Sequence, residues 1–288
     1  MSEKEAPQKD SVMKFLLFGM WALYALIAFC VNHEPGARAG SAQAPQTTAA
    51  ESTAVGITVT GNAADQQSAM QPAAQVQRDI YLTFDDGPCE NTLQVLDILD
   101  SFGAKATFFT VGCYVDRYPA YAQEIVRRGN LLACHTYTHD MAQCYASGEA
   151  FMNEVVQWRQ SVTNACGILP DRICVRFPGG STTKYAAAVS DDIKQRLTAS
   201  GYRWFDWNAG DNDKWQKGNT DQLPDEEYYM QSYRECMKWF DDEPETPVVF
   251  LMHDTEIGTV NVLPSILNDL VNRGYCFRLL DSHPDWNM

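Results

Sequence analysis

The feature that most constrains the fold is a regular alternation of short apolar runs with longer amphipathic segments, beginning near residue 79. The apolar runs predict strands at residues 80–84, 106–111, 131–135, 174–177, 202–207, 248–253 and 275–280. The segments between them predict helices at residues 92–101, 118–128, 148–165, 184–200, 225–240 and 262–273. Strands that alternate with helices are typical of a parallel α/β domain, whose chemistry gathers at the carboxyl ends of the strands.

The first 78 residues have a different composition from the rest of the chain. Residues 1–14 are polar, whereas residues 15–31 are uncharged and strongly apolar, which predicts a transmembrane anchor or a signal segment. We favour an uncleaved anchor, although Ala37-Arg38-Ala39 offers a small-x-small cleavage site. Residues 32–78 are rich in Ala, Gln, Thr, Ser and Gly and predict a flexible linker. Residues 79–288 would then form one folded domain outside the cytoplasm.

Charge and cysteine content narrow the class of partner and of site. The formal net charge of −15 argues against nucleic acid as a partner and fits a neutral or cationic substrate better. Of the nine cysteines, all except Cys30 follow residue 80, and this even number is compatible with disulfides. Buried free thiols are the alternative. The absence of a Cys-x-x-Cys pair makes a cysteine zinc site unexpected.

Two adjacent carboxylates end the first predicted strand, where residues 83–88 read TFDDGP. Side chains alternate between the faces of a strand, but this alternation fails where the strand becomes a turn. Asp85 and Asp86 can therefore face one site. Two carboxylates forced together in a partly dry site require a cation, an arginine or a shared proton. The alternative is an ordinary turn with solvated acids.

Two histidines follow the third predicted strand, where residues 135–139 read HTYTH. A pair at this spacing can bind a metal, although such pairs are more often incidental. His135 and His139 fall at the same end of the predicted sheet as Asp86. Two histidines and one aspartate would leave a coordination position open for water, as a catalytic zinc site requires.

Three further segments bring polar or aromatic residues to strand ends. Residues 176–180 read RFPGG, so Arg176 could pair with a carboxylate and the glycines could let a backbone N–H approach a ligand. Residues 206–215 contain acids and tryptophans that could form one wall of a sugar site, although core packing explains the tryptophans equally well. Residues 251–254 read LMHD, and His253 is a candidate general acid.

These five segments, in this order, resemble the five motifs of polysaccharide deacetylases, the nodulation-type deacetylase domain of carbohydrate esterase family 4. The resemblance covers roughly residues 79–282. It implies an α/β fold, a distorted seven-stranded (β/α) barrel. It also implies that residues 79–288 are the catalytic domain, with Asp86, His135 and His139 as metal ligands. The metal would be zinc, with cobalt or manganese as alternatives.

The same resemblance assigns the remaining roles. Asp85 would be the general base, His253 the general acid, and Arg176 the residue that orients Asp85. The Gly179 N–H would donate a hydrogen bond to the oxyanion. The substrate would contact five residues: Gly179, Pro178, Trp207, Trp215 and Leu251.

Two departures from the family pattern are visible. Gly179 stands where the family often has a bulky residue, so one wall of the substrate groove could be missing. The spacing from Trp207 to Asp211 is one residue longer than the pattern predicts. Asp211, four residues before Trp215, is the acid expected to tune His253, and Asp206 is the alternative.

The resemblance implies a metal-dependent hydrolase of linear amides that removes N-acetyl groups from a cell-wall or extracellular polysaccharide. Peptidoglycan N-acetylglucosamine is the leading substrate, because a membrane-tethered domain would lie beside that polymer. Chitin oligomers, an O-acetylated glycan and an inactive carbohydrate-binding descendant are the alternatives. We expect a monomer anchored to the cell membrane with its catalytic domain outside the cytoplasm, or a secreted protein if residues 15–31 are cleaved.

Overall fold

The computed structural model describes residues 78–213 and 225–287. In these residues the strands are β1 (Arg78–Asp85), β2 (Thr107–Thr110), β3 (Leu131–Cys134), β4 (Cys174–Val175), β5 (Arg203–Trp204), β6 (Ala209–Gly210), β7 (Val248–His253) and β8 (Tyr275–Phe277). The α-helices are α1 (Glu90–Ser101), α2 (Gly112–Arg117), α3 (Pro119–Arg127), α4 (Met141–Cys144), α5 (Gly148–Cys166), α6 (Ser190–Ala199), α7 (Asp225–Asp242) and α8 (Ile257–Asn272). Two short 3-10 helices, Leu280–Ser282 and Pro284–Asn287, follow β8.

All of these strands pair in parallel in one sheet, in the order β5-β4-β3-β2-β1-β7-β6, and β8 pairs with the first residues of β1. Short edge strands, β5 and β6, lie at the two ends of this order. Among the described residues no ladder joins them, so the sheet is an open, curled barrel rather than a closed one. The parallel α/β fold is therefore as expected, with one short strand, β6, beyond the seven predicted.

The central strand β1 separates two apolar layers. Ile80, Leu82 and Phe84 pack in the large core between the sheet and the helices. Tyr81, on the opposite face, belongs to a smaller cluster inside the curl of the sheet, which it shares with Phe109, Leu131, Ala133, Cys174, Phe205, Val249 and Leu280. Because side chains alternate along a strand, Asp85 follows Tyr81 on the inner face. Burial on both faces is typical of parallel strands.

Local chemistry explains where the longest helix begins and ends. Ser147 precedes α5 in an extended conformation, and its side chain accepts a hydrogen bond from Ala150 N over 3.0 Å. Gly167 ends the helix with φ 73°, and its N–H donates to Thr163 O over 2.9 Å. This helix packs against the segment that follows β3, and so takes part in shaping the site below.

Several expectations are corrected or fall outside the described residues. The predicted helix at 184–200 begins at Ser190, and the short helices α2 and α4 were not predicted. All eight cysteines after residue 80 are free thiols, so the disulfide hypothesis is wrong for these residues. The anchor or signal segment at 15–31 and the linker lie outside the described residues. No helix within residues 78–213 and 225–287 combines the length and hydropathy needed to cross a bilayer.

Candidate active site

Four polar side chains converge where the parallel strands end. Asp85 is the last residue of β1, and its Cα partner on β7 is His253. His135 and Arg176 directly follow β3 and β4, and Arg176 N donates to Cys134 O over 2.9 Å, which continues the ladder between these strands. The carboxyl ends of the parallel strands thus place carboxylate, imidazole and guanidinium groups at the same end of the barrel.

Asp86, His135 and His139 form a compact group of potential metal ligands. Asp86 Oδ1 lies 3.4 Å from His135 Nε2 and 3.3 Å from His139 Nε2. One ligand atom from each residue can be chosen so that all three lie within 4.8 Å of one another. Asp86 and His139 have φ angles of 72° and 58°, a left-handed conformation that is costly outside glycine. The backbone is therefore strained in the two residues that turn their side chains towards the shared centre.

The hydrogen bonding of His135 fits a cation between these side chains. His135 Nδ1 lies 3.0 Å from Arg176 O, and a carbonyl oxygen can only accept, so Nδ1 carries the proton. Nε2 is then the atom that faces a carboxylate oxygen of Asp86, where it can bind a cation held between the two side chains. A histidine fixed by a backbone carbonyl is the usual arrangement in metal sites.

His139 has the protonation state that a metal requires. Burial and the neighbouring His135 ring lower the pKa of His139 to about 4. Its imidazole is therefore neutral at pH 7, which is the form that binds divalent metals. The donor set of one carboxylate and two imidazoles suits zinc and other first-row divalent ions.

Arg176 is a fully buried cation that organises the inner side of the site. Its Nη1 donates to Asp85 Oδ1 over 2.8 Å and to Thr83 Oγ1 over 2.7 Å. Its Nε donates to Phe205 O over 3.0 Å, and its Nη2 to Asp206 O over 3.2 Å. A buried guanidinium whose planar fork is this well satisfied is held rigidly, and it fixes the carboxylate that it contacts.

The two oxygens of Asp85 have different surroundings. Oδ1 accepts from Arg176, whereas Oδ2 lies 3.7 Å from His135 Nε2, beside the group of potential metal ligands. The side chain is almost completely buried. Asp85 is therefore oriented by a cation on one side and presents its second oxygen to the centre of the site.

His253 faces the same centre from the opposite side. Its Nε2 lies 4.0 Å from Asp86 Oδ2. Its Nδ1 lies 2.7 Å from Asp213 Oδ1, and its backbone N donates to Asp213 Oδ2 over 2.5 Å. Thr259 Oγ1 also donates to Asp213 Oδ2, over 2.7 Å. A carboxylate that accepts from Nδ1–H fixes the tautomer, so Nε2 is the atom presented to the site.

The acid in contact with His253 is thus Asp213, and the expectation of Asp211, with Asp206 as the alternative, is corrected. Asp211 is fully buried behind Asp213, and its Oδ1 accepts from Asp213 N over 3.3 Å. Burial and the Asp213 carboxylate raise the pKa of Asp211 well above its usual range. Asp206 is bound elsewhere, because it accepts from Ser181 N and Ser181 Oγ over 2.9 and 2.6 Å.

The sequence carries a local signal for the turn that contains Asp213, although not for its contact with His253. Asn212, which lies between two acids, has φ 61°, a left-handed conformation that asparagine tolerates better than most residues. An Asp-Asn-Asp sequence after a short strand therefore marks a turn that separates the orientations of its two carboxylates.

Known proteins resemble this chain in both sequence and fold. Residues 73–198 match the sequence profile of the family described as polysaccharide deacetylase. A solved structure, the catalytic domain of peptidoglycan N-acetylglucosamine deacetylase from Eubacterium rectale, superposes with a TM-score of 0.62 at 28% identity, covering 75% of this chain and 93% of that one. This chain belongs to the polysaccharide deacetylase family.

Two curated relatives illustrate the range of the family. The peptidoglycan-N-acetylglucosamine deacetylase of Bacillus cereus is 29% identical over 197 residues, which cover 68% of this chain and 67% of that protein. The chitooligosaccharide deacetylase of Rhizobium leguminosarum is 32% identical over 155 residues, which cover 53% of this chain and 66% of that protein.

The residues that the family pattern assigns to substrate binding lie partly at the mouth of the site. Pro178 is buried, and its carbonyl accepts from Tyr145 OH over 2.8 Å, which fixes the 178–180 turn. Gly179 is exposed. A Cβ on Gly180 would lie 3.2 Å from the Trp207 ring, so the indole packs directly against the turn. Trp207 thus borders the turn that carries Gly179, the candidate oxyanion donor in this deacetylase family member.

The other assigned residues have different outcomes. Leu251 is half-buried on β7, where it pairs with Thr83 and with Gly210 of β6. Trp215 lies outside the described residues. The space beside Gly179, where the family often has a bulky side chain, is bordered by Met141 of α4, whose Cε would lie 3.4 Å from a Cβ at that position.

Asp254 is a residue that sequence reasoning left without a role. It follows His253 and is completely buried, and its Oδ2 accepts from Thr92 Oγ1 over 2.5 Å. Among the described residues its Oδ1 has no hydrogen-bond partner. A Cβ on Gly87 would lie 2.4 Å from Oδ2, so this close approach requires glycine. Burial raises the pKa of Asp254 to about 7.

Proposed function

We propose that this chain is a metal-dependent hydrolase that removes N-acetyl groups from a cell-wall or extracellular polysaccharide, with peptidoglycan N-acetylglucosamine as the leading substrate. One observation carries the proposal. A carboxylate fixed by a buried arginine, an imidazole fixed by a buried carboxylate, and a group of three metal ligands all face one centre. Amide hydrolysis needs a base, an acid and an electrophilic centre in that arrangement.

Asp86, His135 and His139 would hold a divalent cation, with zinc as the leading candidate and cobalt or manganese as alternatives. When bound, such an ion supplies Lewis-acid polarisation of a carbonyl and makes a nearby water more acidic. The donor set supports this assignment, because two imidazole nitrogens and one carboxylate oxygen converge within 4.8 Å.

Asp85 would act as the general base. Arg176 holds Oδ1, so Oδ2 keeps a lone pair facing the centre, where it can take one proton from a water. The resulting hydroxide oxygen bonds to the acetamide carbonyl carbon, and the carbonyl π electrons move to the oxygen. The backbone N–H of Gly179 is the candidate donor to that oxyanion.

His253 would act as the general acid. Its Nδ1–H is engaged by Asp213, so Nε2 is the atom that can carry a second proton and deliver it. The oxyanion electrons re-form the carbonyl as the carbon–nitrogen bond breaks, and the nitrogen takes this proton and leaves as the sugar amine. The acetic acid that remains releases its hydroxyl proton to solvent as acetate, and Asp85 likewise releases the proton that it took from the water. Protonation of the nitrogen is needed because it would otherwise have to leave as an amide anion, which is a poor leaving group.

The substrate class is supported by relatives rather than by geometry. The Bacillus cereus and Eubacterium rectale relatives are named for peptidoglycan N-acetylglucosamine. An anchor at residues 15–31 followed by the 32–78 linker would place a monomeric catalytic domain outside the cytoplasm, beside the cell wall. Cleavage of that segment would release the domain as a secreted enzyme.

A chitin oligomer is the second candidate substrate, because the Rhizobium relative is named as a chitooligosaccharide deacetylase and shares 32% identity. An O-acetylated glycan remains an alternative of the same class. An inactive carbohydrate-binding descendant is disfavoured, because such a protein has no use for the Asp85–Arg176 and His253–Asp213 pairs together.

Acetate release is the test. The purified protein is incubated with peptidoglycan and with chitin oligomers, before and after removal of divalent ions by a chelator, and acetate is quantified. We expect release from peptidoglycan that chelation abolishes and zinc restores. Faster release from chitin oligomers would reassign the substrate, and full activity in thoroughly metal-free protein would contradict the mechanism.

A further inference from the structure

Glu154 is a buried carboxylate in the middle of α5, outside all five family motifs. Its residue is 1% exposed. Burying a carboxylate in a core is costly unless hydrogen bonds and charges compensate for the lost water. The contacts of Glu154 therefore show what its burial serves.

Every donor to Glu154 that the structure shows comes from the segment that carries the two histidines. Oε2 accepts from Tyr137 N over 2.9 Å, from Thr138 N over 2.6 Å and from Thr138 Oγ1 over 3.0 Å. Oε1 accepts from Gln143 Nε2 over 2.7 Å. One side chain from a helix thus binds two of the three backbone amides that lie between His135 and His139.

This segment requires such support, because its backbone is unusual. Thr136 and His139 have φ angles of 64° and 58°, a left-handed conformation that strains the backbone of any residue other than glycine. That conformation turns the two amides towards α5 and the two imidazoles towards Asp86. A single buried acceptor offsets the strain by satisfying both amides at once.

We infer that Glu154 is a positioning residue for the metal ligands: it holds the Tyr137–Thr138 amides so that His135 Nε2 and His139 Nε2 converge on Asp86 Oδ1. This inference rests on the metal site of the proposed function. It assigns part of the metal affinity to a residue that contacts no ligand atom. Removal of Glu154 would release the strained segment, and the two imidazoles would lose their common focus.

Two substitutions separate the parts of this role. Glu154→Leu removes both oxygens. Glu154→Gln keeps a carbonyl oxygen that can accept from the Tyr137 and Thr138 amides, and its NH2 group faces Gln143, whose own amide can rotate to accept from it. Val162→Ala is the matched control, because Val162 is a fully buried residue of the same helix and is absent from the hydrogen bonds of the 137–143 segment.

The experiment measures zinc affinity by competition with a chromophoric chelator, and amide hydrogen exchange of residues 137–143 in the metal-free protein, on the full-length chain. Glu154→Leu should weaken zinc binding by about 10–100-fold, the usual effect of losing a residue that supports metal ligands. It should also accelerate exchange in the segment. Glu154→Gln should lose less affinity than Glu154→Leu, and Val162→Ala should lower Tm with zinc affinity unchanged.

Three results would overturn the inference. They are unchanged zinc affinity in Glu154→Leu, an equal loss in Val162→Ala, and unchanged exchange of residues 137–143 in Glu154→Leu. If Glu154→Leu does not fold, Glu154→Ala, which also removes both oxygens, takes its place, and wild-type zinc affinity and exchange in that variant would overturn the inference. Absence of zinc binding by the unsubstituted protein would instead contradict the metal site of the proposed function, on which the inference rests.

Discussion

Substitution of Asp254 by Asn should change how the stability of the protein depends on pH. Asp254 is completely buried, and one of its oxygens has no hydrogen-bond partner among the described residues. Burial raises its pKa from the usual 3.8 to about 7 in the folded protein. In the unfolded chain the same carboxyl is surrounded by water and titrates near 3.9.

The sign and magnitude of this pH dependence follow from the difference between the pKa of Asp254 in the folded and in the unfolded state. A raised pKa means that the folded state binds the proton more tightly, so this group favours folding most at low pH. Its contribution is lost as the pH rises from about 4 to about 7. Three pKa units at about 1.4 kcal/mol each correspond to about 4 kcal/mol in total, of which about 3 kcal/mol falls between pH 5 and pH 8. An Asn side chain cannot ionise and removes this dependence.

The assay is urea unfolding of the wild type and of Asp254→Asn at pH 5 and pH 8, with equal metal content. The free energy of unfolding of the variant, minus that of the wild type, should be larger at pH 8 than at pH 5 by about 3 kcal/mol. Titrating groups that do not interact with Asp254 are shared and cancel in this difference, whereas the charges of Asp86 and His253 act on Asp254 directly. A difference that stays constant, or that falls with pH, would refute the assignment of a neutral buried carboxyl.

Three further substitutions test other contacts. Asp213→Asn should lower turnover by about 10²–10⁴-fold with unchanged metal content, because His253 loses the carboxylate that orients it; near-normal turnover would contradict this pairing. Arg176→Lys should lower the free energy of unfolding, measured in urea, by about 3 kcal/mol, because an ammonium group cannot replace the planar guanidinium that binds Asp85. An unchanged free energy of unfolding would contradict this role of Arg176. Trp158→Ala should lower the free energy of unfolding by about 3–5 kcal/mol in the same assay, because the indole of this α5 residue is completely buried. A decrease below about 1 kcal/mol would mean that the helix packs differently.

Much of the fold and the centre of the site could be predicted because both follow from local patterns. The apolar run of β1 followed by two acids predicts a buried parallel strand with carboxylates at its end, and the structure places Asp85 there. The histidine pair after β3 follows the same logic. Strand ends in a parallel sheet meet at one edge, so the sequence order of such motifs already indicates a common site.

Other parts depend on contacts between distant segments, which a single sequence does not encode locally. Glu154 resembles any solvent-facing glutamate of an amphipathic helix, and its role is visible only once the 137–143 segment folds against α5. Asp211 and Asp213 are acids of the same type on either side of Asn212, and only the fold shows that Asp213 is the one in contact with His253. The even number of cysteines suggested disulfides, yet Cys134, Cys144 and Cys174 are buried thiols.

The division of labour between Asp85 and Asp86 is the central claim of the mechanism. Adjacent acids of the same type are distinguished here by their surroundings. Asp85 is fixed by Arg176, whereas Asp86 lies within 3.4 Å of both His135 Nε2 and His139 Nε2. The base must keep a lone pair for the water, and the ligand must give its own to the metal.

The most direct test measures zinc affinity and acetate release together in Asp85→Asn and Asp86→Asn. Asp85→Asn should bind zinc nearly as well as the wild type and lose about 10²–10⁴-fold in turnover, the usual worth of a positioned acid–base group. Asp86→Asn should bind zinc weakly and recover part of its turnover at high zinc concentration. Loss of zinc from Asp85→Asn with retention in Asp86→Asn would reverse the assignment, and full turnover in both variants would contradict the active site described here.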